Sequence, residues 1–105
     1  MIKRYLPILE YLHKLSPHHQ KKFISNADSN VLKILSEICH NLNKNTLKLS
    51  ENDISLLKPY RKDILFLCSK RRSLADRRKT LQKGGFLNLL LSTALPLLLE
   101  TLYSK

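Results

Sequence analysis

The chain holds only two glycines, and they are adjacent at Gly84-Gly85, while the four prolines stand far apart at Pro7, Pro17, Pro59 and Pro96. A sheet protein of 105 residues would turn about every 8–12 residues and would need many more turn formers than this. Helices are what remains, and the apolar spacing agrees. Val31, Leu32, Leu35, Ile38, Cys39 and Leu42 recur along one helical face behind Ser29 as N-cap. Ile54, Leu57, Arg61, Ile64, Leu65 and Cys68 continue a similar stripe behind a capping-box start at Ser50 and Asp53. Pro59 interrupts this segment, which predicts two short helices or one kinked one, because proline cannot donate its backbone hydrogen bond.

Ile2, Tyr5, Leu6, Leu9 and Leu12 share a face of a first helix, in which Pro7 is tolerable only within the first turn. Ser16-Pro17 reads as the N-cap and first position of a second helix carrying Phe23 and Ile24, and residues 41–48 read as a loop. The prediction is an all-α protein, a small bundle of four to six short helices with a basic helix and a C-terminal leucine-rich helix. It forms one domain in three parts: a helical body over 1–69, a basic helix over 70–83, and a diglycine hinge with a hydrophobic helix over 84–105.

Charge narrows the function classes. Nineteen Lys and Arg against eight Asp and Glu give +11, while 43% hydrophobic content is too high for a disordered basic tail. Such a chain folds and seeks a polyanion, either nucleic acid or an anionic membrane. Cys39 and Cys68 lie within leucine- and isoleucine-rich stretches and read as reduced core residues. Pro7, Glu10, His13 and Lys14 interrupt the N-terminal segment before it reaches signal-peptide length, so the expected compartment is cytoplasmic or nuclear.

More than half of the net charge sits between residues 70 and 83. Lys70, Arg71, Arg72, Arg77, Arg78, Lys79 and Lys83 face a single carboxylate, Asp76. Ser73 to Asp76 resembles a capping box, predicting a helix from about Leu74 to Lys83. Only Leu74 and Leu81 would face a core, so this helix is expected to be exposed and to order fully on a polyanion. No aromatic residue interleaves the seven cations, so they are assigned to phosphates, without base specificity.

Residues 84–99 carry no charge, and nine leucines fall between Phe86 and Leu102. Phe86 to Leu99 as a helix would span roughly 21 Å, short of the about 30 Å hydrocarbon core. Three readings stay open for Phe86, Leu87, Leu90, Leu91, Leu95, Leu98 and Leu99: a core helix, a self-association surface, or insertion into a membrane surface.

The run from Arg77 through Gln82, Lys83, Gly84, Gly85 and Phe86 to Leu87 resembles the processing region of the adenovirus late core proteins called X or mu, small basic DNA-condensing proteins with a Gly-Gly-Phe-Leu junction before a hydrophobic tail. It also resembles small basic proteins of adenovirus-like mobile elements, the Polinton or Maverick elements and their adintovirus relatives. The match covers about a dozen residues, and the folded first 69 residues depart from the short arginine-rich mu peptide. The resemblance implies cleavage by an adenovirus-type maturation protease between Gly85 and Phe86, with Gln82, Gly84, Gly85 and Phe86 as its recognition residues. Such proteases run the substrate through a tunnel too narrow for a Cβ beside the scissile carbonyl. It further implies a place in the virion, and in the host nucleus during assembly.

Catalysis and metal binding find no support in the residues. There is no nucleotide-binding glycine loop and no GxSxG, and the carboxylates are scattered singly. His18-His19 and Cys39-His40 are adjacent pairs that point to different sides of a helix, without metal-ligand spacing. The expectation is a virion core or minor capsid protein, not an enzyme and without a cofactor, that holds double-stranded DNA through phosphate contacts. The alternative is a membrane-active or scaffolding module that meets capsid proteins, a membrane or a second copy through its leucine-rich helix.

Overall fold

A computed structural model describes residues 2–44, 49–69 and 71–103. Among the described residues the chain is all helical, with α1 (Ile2–Lys14), α2 (Pro17–Asn26), α3 (Ser29–Asn43), α4 (Glu51–Leu57), α5 (Arg61–Cys68), α6 (Leu74–Leu81) and α7 (Phe86–Tyr103). A short 3-10 turn, Lys58–Tyr60, stands between α4 and α5, so Pro59 divides the segment into two helices. Lys70 and residues 45–48 of the expected loop lie outside the described residues.

Local chemistry sets most helix starts. The side chains of Ser16 and Ser73 accept from the backbone N–H three residues on, at His19 and Asp76. Ser50 and Asp53 close a full capping box. The first cap of α3 differs from the expectation: Asp28, one residue before Ser29, accepts from the Val31 N–H at 3.0 Å. The carboxylate there also meets the positive end of the helix dipole. α3 then runs on to Asn43, into the segment read as a loop. Pro7 lies in the second turn of α1 rather than the first, on the exposed side with Glu10 and Lys14.

One apolar cluster joins every α-helix. α3 is its centre, with Leu32, Ile34, Leu35, Ile38 and Cys39 almost fully buried, and it packs chiefly against α5. α7 lies against α1 and closes the cluster with Phe86, Leu87, Leu90, Leu91, Ala94, Leu95 and Leu98. Asn88, Ser92, Pro96 and Glu100 recur every fourth residue as the exposed side of α7, which places its proline toward solvent. Two polar ties fix this arrangement. Buried Gln20 donates to the Leu12 carbonyl at 3.1 Å and to Asn88 Oδ1 at 3.3 Å, and His13 Nε2 lies 2.9 Å from Ser92 Oγ.

The expected stripe of α4 and α5 is only partly inward. Leu57 and Ile64 are buried, whereas Ile54 and Leu65 are exposed and Cys68 is half-buried. Two short helices separated by a turn do not hold a common face, so a periodicity read straight through Pro59 drifts out of the core.

Candidate nucleic-acid interface

α6 does not stand free in solvent. It lies across the C-terminal ends of two other helices, and its two central arginines are turned onto them. Arg77 donates from Nη1 to the Leu67 carbonyl at 3.0 Å and from Nη2 to the Ser69 carbonyl at 2.7 Å, at the end of α5. Its Nε donates to the Arg72 carbonyl at 3.3 Å, closing the loop that leads into α6. Arg78 turns the other way and donates to the Ser25 and Ala27 carbonyls at 3.2 and 2.9 Å, at the end of α2. The last carbonyls of a helix have no partner within it and carry the negative end of the dipole. Two planar, permanently charged forks satisfy them from outside.

This corrects the assignment of all seven cations to phosphate. Arg77 and Arg78 hold the fold together, and both are only half-exposed. Arg78 Nε is buried without a hydrogen-bond partner. Lys83 is half committed as well: its Nζ is 2.6 Å from Asp63 Oδ1, with the lysine side chain 58% exposed. The expectation that α6, with only Leu74 and Leu81 to bury, stands exposed is corrected in part, because polar side chains also dock it. Leu74 is exposed at 38%, yet Leu81 and Thr80 are buried, and Gln82 donates to the Lys21 carbonyl at 3.0 Å and to Ser25 Oγ at 2.5 Å.

With Lys70 outside the described residues, Arg71, Arg72 and Lys79 remain as exposed cations that form no ion pair among the described residues. Arg72, itself exposed, holds its guanidinium carbon 4.1 Å from the centre of the Phe66 ring in a cation–π contact. α2, which packs on α6, carries two exposed cations that a reading of the basic run alone misses, Lys21 beside Gln82 and Lys83 and Lys22 on the side toward α1. The signal was present as a Lys-Lys pair on a short amphipathic helix, but nothing in the sequence placed α2 beside α6.

The diglycine is a folded corner. Gly85 has φ +78°, a left-handed conformation natural to glycine, and its carbonyl accepts from the Leu89 N–H at 3.1 Å to start α7. Tyr60 crosses the corner, with its hydroxyl donating to the Gly84 carbonyl at 3.5 Å and its ring 5.3 Å from that of Phe86. Phe86 is fully buried. Of the four residues read as a protease recognition sequence, Gln82 is hydrogen-bonded to α2, Gly84 and Gly85 form the turn, and Phe86 is core. An extended segment can form there only after the first turn of α7 leaves the core.

The leucine-rich surface is likewise absent from the outside. Phe86, Leu87, Leu90, Leu91, Leu95 and Leu98 are buried, and Leu99 is half-buried against the same cluster. Of the three readings for these seven residues, the geometry selects the core helix. No helix among the described residues is long and apolar enough to cross a membrane.

Both cysteines are free. Burial pushes the Cys39 thiol well above its ordinary value, and the neighbouring Cys68 adds to this. Burial also raises Cys68, against the opposing pull of the Arg77 guanidinium. Among the described residues no three His, Cys, Asp or Glu side chains gather where they could hold a metal ion. Comparison with protein-family models, with curated proteins and with solved structures gives no match.

Proposed function

We propose that this protein binds nucleic acid through sequence-independent phosphate contacts made by Arg71, Arg72 and Lys79, joined by Lys21 and Lys22 of α2. The observation that carries this reading is that these five exposed cations form no ion pair among the described residues, in a chain of net charge +11. Lys79 on α6, Arg71 and Arg72 in the turn that leads into it, and Lys21 and Lys22 on α2 make an electrostatic footprint for a polyanion. Double-stranded DNA is the reference ligand. The resemblance at Gln82 to Leu87 supplies the setting, a core or minor capsid protein of an adenovirus-like particle. Processing after Gly85 by a maturation protease belongs to the same proposal, and it requires the α7 end of the corner to open first.

Membrane activity through the leucine-rich helix is the weaker reading, because those side chains already fill the core.

A salt series with a fluorescent duplex tests the proposal. About five phosphate contacts predict a slope of log K against log salt near −4.5. A triple variant, Arg71→Gln, Arg72→Gln, Lys79→Gln, should flatten the slope by about 3 while the protein stays folded. Binding that ignores these three residues would remove the basis of the proposal.

A further inference from the structure

Between α1 and α2 lies a cleft of about 310 Å³. Tyr11 of α1 and Phe23 of α2 form its aromatic wall, with ring centres 6.3 Å apart and planes tilted by 56°. His19, Lys22 and Asn26 supply its polar rim, and no carboxylate lines it. Tyr11 is 58% exposed, the most of any large apolar side chain described, and Ile8, one turn earlier on α1, is exposed beside it. Tyr11 and Ile8 thus form a small exposed apolar patch at the mouth of the cleft.

We infer that this cleft receives an unpaired nucleobase stacked on Tyr11, with Lys22 meeting the adjoining phosphate, so that the ligand of preference carries single-stranded bases. The inference rests on the phosphate-binding reading above and adds to it a discrimination that the cations alone cannot make.

Three observations favour this occupant over an apolar peptide or a second copy. First, two aromatic rings beside a lysine and a histidine, with no acid, match the stacking platform and electrostatic rim that hold bases of a single strand. Second, the rim has directed hydrogen-bonding capacity. The Asn26 amide donates to the Lys22 carbonyl at 3.1 Å, which keeps Oδ1 as an acceptor, and His19 Nδ1 lies 2.7 Å from Ser16 Oγ, which leaves Nε2. Third, the cleft is continuous with the basic face through α2. Ala27 lines the cleft, and its carbonyl is the one that Arg78 of α6 holds. A backbone following the phosphate contacts past Lys21 therefore reaches Lys22 and the cleft without leaving α2. A second copy is disfavoured by repulsion between two chains of +11. The volume is at the lower end of ligand pockets, about 300–1,000 Å³, suited to one planar ring system.

The test compares the full-length protein's affinity for an oligothymidylate of about ten nucleotides with that for an abasic strand of the same length, so that phosphate charge is constant and only the bases differ. Stacking predicts about ten-fold tighter binding of the oligothymidylate. Tyr11→Ala should erase that margin while leaving the abasic affinity unchanged, and Tyr11→Phe should keep it, because the ring and not the hydroxyl stacks. Tyr11 is exposed, so neither variant threatens folding, and an unchanged unfolding midpoint verifies this. Equal affinity for the two strands would overturn the cleft as a base site while sparing the phosphate reading, and is the result expected if a peptide side chain is the true occupant. Failure of both strands to bind at low salt would overturn the phosphate reading itself, and the cleft with it.

Discussion

Arg78 donates from Nη2 to the carbonyl of Ala27 at 2.9 Å, across 51 residues of sequence. Together with its bond to Ser25, this makes an arginine of the basic run the C-terminal cap of a helix in the body. Hydrogen bonds from a charged donor contribute about 1.5–3 kcal/mol each at most, and loss of one leaves a carbonyl at a helix end unsatisfied. Arg78→Ala is expected to destabilise the protein by about 2 kcal/mol, and Arg78→Lys to recover only part of this, since one ammonium cannot fork onto two carbonyls. Urea unfolding measures both. An Arg78→Ala protein as stable as the wild type would show that the clamp is idle.

Arg77 and Lys79 are two residues apart on α6 and should behave oppositely. Lys79→Ala is expected to leave the unfolding midpoint in place and to make the salt slope of DNA binding shallower by about 1. Arg77→Ala should lower the unfolding midpoint, because it releases the carbonyls of Leu67, Ser69 and Arg72 at once. A matched pair of unfolding curves and salt titrations separates the two roles.

The two glycines should also separate. Gly85 has φ +78°, where a side chain costs about 1–2 kcal/mol, and a Cβ there would sit 3.4 Å from the Tyr60 hydroxyl. Gly84 has open space around its absent Cβ. Gly85→Ala should therefore lower the melting temperature by several degrees and Gly84→Ala should leave it near the wild type or slightly above. Differential scanning calorimetry reads both; equal losses would contradict the turn geometry.

Truncation after Gly85 removes Phe86, Leu87, Leu90, Leu91, Ala94, Leu95 and Leu98 from the common core. Burying a Phe or Leu side chain stabilises by about 1.5–3 kcal/mol, so the loss exceeds the whole stability of about 5–15 kcal/mol of an ordinary small domain. Residues 1–85 alone should lose their cooperative thermal transition in circular dichroism. A truncated chain that still melts sharply would mean that α7 is dispensable to the fold.

The thiols predict an alkaline effect of definite sign. Burial holds the folded-state pKa of Cys39 above its ordinary value of 9.0, so the folded protein keeps a proton that the unfolded chain releases. The stabilising contribution is fully present below about pH 9 and declines as the pH rises above it. The stability difference between the wild type and Cys39→Ala should therefore narrow above pH 9, as followed by denaturant titrations at fixed pH. A difference independent of pH would place the thiol in contact with water. Reaction of Cys39 with iodoacetamide should also be slow until the protein unfolds, since the thiolate is the nucleophile.

Much of the architecture was legible from short-range pattern. The caps at Ser16, Ser50 and Ser73 and the break at Pro59 are interactions within four residues, so the sequence states them directly. The cap at Asp28 was missed by one position because Asp28 and Ser29 are equally good caps in isolation, and backbone direction chose between them. In α7 the solvent side of Asn88, Ser92, Pro96 and Glu100 was not legible, since Thr93 interrupts the apolar run as Ser92 does and yet is buried. Tyr11 and Phe23 gave no signal as a pair, since twelve residues and a helix turn separate them and only the angle between α1 and α2 brings the rings together.

By itself the sequence determined an all-helical chain, most of its helix starts, the break at Gly84-Gly85 and its excess of positive charge. These follow from backbone conformational preference, local capping and composition, none of which depends on what lies across the molecule. Tertiary structure decided what each cation does. An arginine side chain can meet a phosphate or a carbonyl with the same donors, and the choice depends on which helix end stands within its reach. Because α6 crosses the ends of α2 and α5, Arg77 and Arg78 are drawn onto carbonyls at the negative ends of two dipoles, while Arg71, Arg72 and Lys79 are left to solvent. The same packing turned the leucine-rich tail inward, where α7 covers the apolar face of α1 and closes the core around α3.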